Sequence, residues 1–223
     1  MAIEREKILD AALALLNDVG LEQLTTRKLA ERLGVQQPAL YWHFKNKSAL
    51  LDALNEVVLD RFHERRLPRP GESWDDFTLA HARSLRKALV AVRDGARLNA
   101  GTRPSARQFA DAERQLELYV ATGFTPEQAL AVALGVARYV TGFVLEEQDE
   151  RARVGNDSDW GGGNPMDELS PFPILLEAIR PMIEGGAINT ETVFETGLGF
   201  MIEGIRASLR PVASVRTRRR RRS

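Results

Sequence analysis

Apolar residues recur at helical spacing along almost the whole chain. In the first segment Ile8, Ala11, Ala12, Leu15, Leu16 and Val19 fall at i, i+3, i+4, i+7, i+8 and i+11, and Gly20 follows as a stop. No segment alternates convincingly with period two, and no hairpin signal stands out. The pattern predicts an all-α chain with helices over about 3–19, 26–33, 37–44, 47–65, 75–93, 94–99, 105–122, 125–151, 171–185 and 190–209. Breakers support the divisions: Pro68 and Pro70, Gly101 to Pro104, and Gly123 ahead of Thr125-Pro126, where Thr125 reads as an N-cap with Pro126 in the first turn. Residues 152–170 are rich in Gly, Asn, Asp and Ser and read as a mobile loop.

The most specific local signal lies in residues 26–44. Two short helical stretches, TRKLAERL and QPALYWHF, flank Gly34-Val35-Gln36. Such a turn needs a residue that tolerates positive φ, which Gly34 supplies. Ala30 is small enough for close crossing, and Leu29, Leu33, Val35 and Leu40 complete a small core. An ordinary helical hairpin would fit that core as well. A helix-turn-helix explains what the second helix carries: Gln37 at its start, then Tyr41, Trp42 and His43, with Lys45 and Lys47 beyond. Between Arg27 and Lys47 stand five bases and one acid. A glutamine at a helix start can make the paired bonds that suit adenine, and Tyr, His and Lys nearby suit phosphate contacts.

Composition narrows the remaining chemistry. The 223 residues contain no cysteine and only three histidines, His43, His63 and His81. Disulfides, thiol catalysis and cysteine-zinc sites are excluded, and a multi-histidine metal site nearly so. An enzyme would need a nucleophile–base pair or a metal site, and neither stands out. No apolar run approaches the roughly 18 residues of a membrane span, and the first residues do not read as a signal peptide. These features predict a soluble chain with no membrane partner. The formal net charge is zero, from 31 bases and 31 acids. Six arginines, Arg216 and Arg218 to Arg222, crowd the end; the 31 bases less these six leave 25, so the body is acidic. Such a tail is expected to be disordered, serving either as extra sequence-independent DNA affinity or as a solubilising segment.

The motif residues carry a resemblance. Leu24 to Ala30 and Gln37 to His43 resemble the TetR family of bacterial repressors. So do Asn46 to Leu54, Gly71 to Trp74, Arg93 to Ala96, Gly101 to Pro104 and Val144 to Glu146. The resemblance is close over residues 8–151 and looser over 172–209. It implies a homodimer on double-stranded, pseudo-palindromic operator DNA, a repressor released by a small-molecule effector and located in the bacterial cytoplasm. Its implied organisation is a DNA-binding domain over 1–46, an effector-binding and dimerisation domain over 47–209, and a tail over 210–223. Positions matching the family's DNA contacts are Thr25, Thr26, Arg27, Gln37, Pro38, Ala39, Tyr41, Trp42, His43 and Lys47. Ala39 departs from the threonine found in the family's tetracycline-responsive branch.

That branch also implies a pocket. Its positions match His63, His81, Leu85, Asn99, Thr102, Arg103, Pro104, Gln115, Leu130 and Glu146, with Leu175, Ile179 and Met182 reaching in from a partner subunit. No cofactor is required by the chain itself. Magnesium is implied only as part of a tetracycline-like ligand complex, held at Asn99 and, through water, at Glu146. The branch has histidine where this chain has Asn99, asparagine where it has His81, and an aromatic residue where it has Leu85. A tetracycline-like or other polycyclic effector therefore stands beside an unrelated effector or an activator role, with a non-specific DNA-binding module or an enzyme as remoter readings. Residues 93–104 are the expected moving link. Small residues in 125–151 and Gly197, Gly199 and Gly204 fit either a dimer interface or packing within the chain.

Overall fold

The computed structural model describes residues 3–156, 169–184 and 187–209. Ten helices form among them: α1 Arg5–Gln23, α2 Thr26–Leu33, α3 Pro38–Tyr41, α4 Lys47–Phe62, α5 Trp74–Val90, α6 Gly95–Ala100, α7 Ala106–Ala121, α8 Pro126–Asn156, α9 Pro173–Ile179 and α10 Thr190–Ser208. Local chemistry sets their starts. Thr25 accepts from Lys28 N, Asn46 from Ala49 N and Asn189 from Thr192 N. Ser105 and Gln108 form a reciprocal capping box. Thr125 caps α8 as expected, accepting from Gln128 N while the Gln128 side chain accepts from Thr125 N.

Several expectations need correction. The helix expected over 171–185 divides into α9, a 3-10 turn at Arg180–Met182 and a minimal antiparallel ladder pairing Ile183–Glu184 with Ala187–Ile188. Pro181 cannot continue a helical hydrogen-bond ladder. The loop expected over 152–170 starts later, because α8 continues to Asn156. Residues 157–168 and the arginine tail lie outside the described residues. Gly20 does break α1, with φ 79° and ψ 170°, although helical bonding resumes to Gln23. Finally, α8 is apolar enough to cross a membrane by length and composition: Pro126–Ala152 contains a window of mean hydropathy 1.5, of which 22% is buried within the subunit. Its alanines, valines and leucines raise the hydropathy, while Gly135, Arg138, Thr141 and Gly142 interrupt any long apolar run.

One apolar cluster joins α1, α2, α3 and the first half of α4. Ile8, Ala12, Leu16, Leu29, Leu40, Leu50 and Leu54 are essentially enclosed in it, and Val92 and Leu98 extend it into the second half of the chain. A second cluster packs Leu85 and Leu89 of α5 against Val136, Val140 and Val144 of α8 and Phe194 and Leu198 of α10. A third holds Trp74, Phe77, Tyr119, Phe124 and Ile202. Thus α4 contributes to the first core and also leads to His63 at its C-cap.

Two ion-pair systems tie the second half together. Arg86 bonds buried Glu147 at 2.7 Å, also meets Glu191, and stacks 4.6 Å above the Phe194 ring. Burial opposes ionisation of Glu147, but the Arg86 guanidinium holds its carboxyl below the usual range. Arg66 joins Asp60 of α4 to Asp111 of α7.

Candidate functional site

The turn between α2 and α3 has the predicted geometry. Gly34 is left-handed at φ 65° and ψ 29°, and its N–H and that of Val35 close the end of α2. Leu40 anchors α3 at 2% exposure. The opposite side of α3 is bare: Tyr41 is 48% exposed and Trp42 89%. Gln37 donates from Nε2 to Thr26 Oγ1 at 2.8 Å, which orients its amide at the head of α3. Arg27 is exposed beside Glu31, Thr25 and Pro38 are exposed, Ala39 and His43 are half-buried, and Lys47 opens α4. All ten expected contact residues therefore lie on α2 or α3, at their caps and the turn after α3, or at the start of α4. The helical part of α3 is shorter than expected, since residues 42 and 43 form a turn.

The expected pocket residues divide into two groups. His63, His81, Asn99, Thr102 and Gln115 turn inward or stand half-buried. His63 and His81 meet edge to face with centroids 4.6 Å apart. Burial is the main cause holding His63 down to about 2 and His81 to about 4, so both rings are neutral near pH 7. His81 Nδ1 lies 3.0 Å from the Arg65 carbonyl, which can only accept; Nδ1 therefore carries the proton and Nε2 is left as an acceptor. Ser84 Oγ accepts from Arg65 N–H and lies 2.8 Å from His63 Nδ1, while His63 Nε2 is buried without a partner. Gln115 Nε2 donates to the Arg66 carbonyl at 2.7 Å, so α7 is bonded to the segment after His63.

The second group is not brought to this cluster within one subunit. Leu130 is 47% exposed, Leu175 46% and Met182 39%; Arg103, Pro104 and Glu146 are exposed, and Ile179 is half-buried. Leu85 is buried in the α5–α8–α10 core. It is therefore a packing residue rather than a free wall. Glu146 points outward because the neighbouring Glu147 occupies the inward position on α8 and pairs with Arg86.

Sequence reasoning missed Asn55. It lies on α4, is 4% exposed, and donates from Nδ2 to Asn99 Oδ1 at 3.2 Å. Its own Oδ1 is buried without a partner. An unmet buried acceptor costs about 1–3 kcal/mol, so such a group calls for a ligand or water. The signal was present: a polar residue stands four places from Leu51 and Leu59 in an apolar stripe.

The donor set at Asn99 does not fit a protein-held magnesium ion. It is a single neutral amide oxygen, weaker than a carboxylate, and one of its two lone pairs accepts from Asn55. Among the described residues, no three histidines or carboxylates gather in a possible metal-holding group.

The junction between the first core and α5–α6 is polar. Leu21 N donates to Asp94 Oδ2 at 2.7 Å, Arg93 N to Asn17 Oδ1, and Arg93 Nη1 to the Asp18 carbonyl. On the next segment, Arg103 N donates to Asp52 Oδ1 of α4. A groove of about 590 Å³ opens here between Gly20, Arg93, Arg97 and Arg151, away from the histidines.

Two family patterns match the chain. "Bacterial regulatory proteins, tetR family" covers residues 8–54, and "Tetracyclin repressor-like, C-terminal domain" covers 67–209. The chain is 52% identical to the class G tetracycline repressor protein of Vibrio anguillarum, over 91% of this chain and 93% of that protein. It is 45% identical to the class A protein from transposon 1721 in Escherichia coli, over 91% and 90%. Among solved structures, TetR class A in complex with 5a,6-anhydrotetracycline and magnesium superposes with a TM-score of 0.71 at 37% identity, covering 92% of this chain and 99% of that one.

Proposed function

The chain belongs to the TetR family of bacterial regulatory proteins, and from that premise we propose how its own residues carry the family's activity. It is a DNA-binding transcriptional repressor released by a small-molecule effector, and not an enzyme. No intrinsic cofactor is indicated. The observation that carries the reading is the bare α3 face, Trp42 and Tyr41, set on a glycine turn beside a basic α2.

In this reading Gln37 reaches base edges, Thr25, Thr26, Arg27, Tyr41, His43 and Lys47 fix register on the phosphates, and Pro38, Ala39 and Trp42 pack against the duplex beside them. Two copies place two α3 helices on half-sites about one helical turn apart. The dimer face is the unburied apolar side of α8 and α10. Leu130, Leu134 and Phe200 are exposed there, and a Cβ on Gly135, Gly142, Gly199 or Gly204 would meet nothing within the subunit. A second copy would cover what hydropathy alone could assign to lipid. Function of the dimer on operator DNA places it in the cytoplasm. The partition 1–46, 47–209 and 210–223 is part of the same proposal, with α4 shared between the first two units.

The effector is a tetracycline-like polycyclic compound taken up beside His63, His81, Thr102 and Gln115. Leu130, Arg103, Pro104 and Glu146 act at the rim, joined by the partner's α9. The signal then runs through residues 93–104, which bond to α1 and α4 through Arg93, Asp94 and Arg103. A thousandfold loss of operator affinity requires about 4 kcal/mol of preference for the released shape. The test is selection of binding sites from a random duplex pool, followed by release with anhydrotetracycline. A pseudo-palindrome that survives excess random DNA and is freed by the drug is the expected result. Binding that random duplex competes away would leave only a non-specific DNA-binding module.

A further inference from the structure

The buried amides of α4 and α6 form a ladder whose polarity can be worked out. The Thr141 hydroxyl of α8 donates to the Ala137 carbonyl at 2.8 Å, so its oxygen is left to accept. Asn99 therefore turns Nδ2 toward Thr141, at 3.4 Å. That leaves Asn99 Oδ1 facing α4, where it accepts from Asn55 Nδ2 at 3.2 Å. The last atom is Asn55 Oδ1, buried and unmet. Reversing both amides would require the Thr141 proton to leave Ala137; reversing Asn55 alone would set two oxygens against each other, and reversing Asn99 alone two NH2 groups.

We propose that Asn55 Oδ1 is an effector-sensing acceptor that takes an O–H or N–H donor of the effector without a metal ion. The proposal rests on the effector reading above and names a residue and a ligand group for that site. Two observations carry it. The ladder engages the Asn99 oxygen with Asn55 and leaves a hard cation only one lone pair of a neutral amide, and it holds one unpaired buried acceptor beside it. That acceptor stands on α4, whose Leu50 and Leu54 belong to the core of the DNA-binding head. Filling it acts on the head directly.

The experiment measures anhydrotetracycline binding to the full-length protein by ligand fluorescence, with magnesium and with EDTA. The wild type is expected to bind equally in both. Asn55→Ala is expected to bind about tenfold more weakly, with operator affinity and melting temperature close to wild type. Should Asn55→Ala not fold, Thr141→Val keeps Asn55 and frees Asn99; about a threefold loss is expected. Wild-type binding abolished by EDTA, or unchanged affinity in whichever variant is read, overturns the proposal alone. No binding by the wild type in either condition overturns the tetracycline-like effector and this proposal with it.

Discussion

Replacing Gly20 with alanine tests how the DNA-binding head is held to the rest of the molecule. At φ 79° and ψ 170° this residue occupies a region that is essentially closed to side chains, at a cost of about 1–3 kcal/mol. The new Cβ would sit 2.9 Å from Asp94 Oδ2 and 3.1 Å from Arg93 Nε. Both are side-chain ends and can retreat, but Asp94 is the acceptor for Leu21 N at 2.7 Å. Losing a hydrogen bond to a charged group adds about 1.5–3 kcal/mol. The sum, about 2.5–6 kcal/mol, should lower Tm by about 5–24 °C for a chain of this size. The assay is thermal unfolding by circular dichroism at one fixed protein concentration, because a dimer's Tm depends on concentration. Asp94→Ala removes the same hydrogen bond without adding a side chain. The double variant should therefore lose less than the two single losses added together. A Tm for Gly20→Ala within about 2 °C of wild type would refute the reasoning, and so would full additivity.

Gly197→Ala should cost about 1–3 kcal/mol, because its Cβ would lie 2.4 Å from Tyr139 Oη and disturb that group's bond to the Phe194 carbonyl; denaturant unfolding measures it. Gly135→Leu meets open space in the subunit, so it should leave the fold intact while shifting the dimer toward monomer in sedimentation; an unchanged dimer would place the interface elsewhere. Glu147→Ala leaves Arg86 with Glu191 as its remaining carboxylate and should cost about 1.5–3 kcal/mol, whereas a loss below about 1 kcal/mol would show the buried pair to be dispensable. Acid should destabilise the protein through its inner histidines. The unfolded rings protonate near 6.5 while folded His63 resists to about 2, so the folded state is most favoured above 6.5 and loses ground as pH falls below it. By pH 5 the loss from His63 is about 2 kcal/mol, and a stability profile in which His63→Ala falls as steeply as wild type would contradict that.

What the sequence determined by itself was local or periodic. The α2–turn–α3 unit was legible because Gly34, Ala30 and Leu40 act within a dozen residues of one another, and the Thr125 cap because it bonds three residues on. The resemblance to repressors extended this to the exposed face of α3 and to most of the inner cluster. Tertiary structure decided the rest, since periodicity fixes a face but not what meets it. Asn55 and Asn99 are 44 positions apart, and Arg86 and Glu147 are 61 apart. Nothing short of the packed helices shows that the first pair forms a ladder with an unmet oxygen. Nor does the sequence show which of two adjacent glutamates is buried. Glu146 and Glu147 differ by one step on α8, about 100° of rotation, which is enough to turn one to Arg86 and the other to solvent. The same limit applied to the glycines of α10: Gly197 and Gly199 stand about 200° apart on the helix, and only the packed structure shows that the first faces Tyr139 and the second open space.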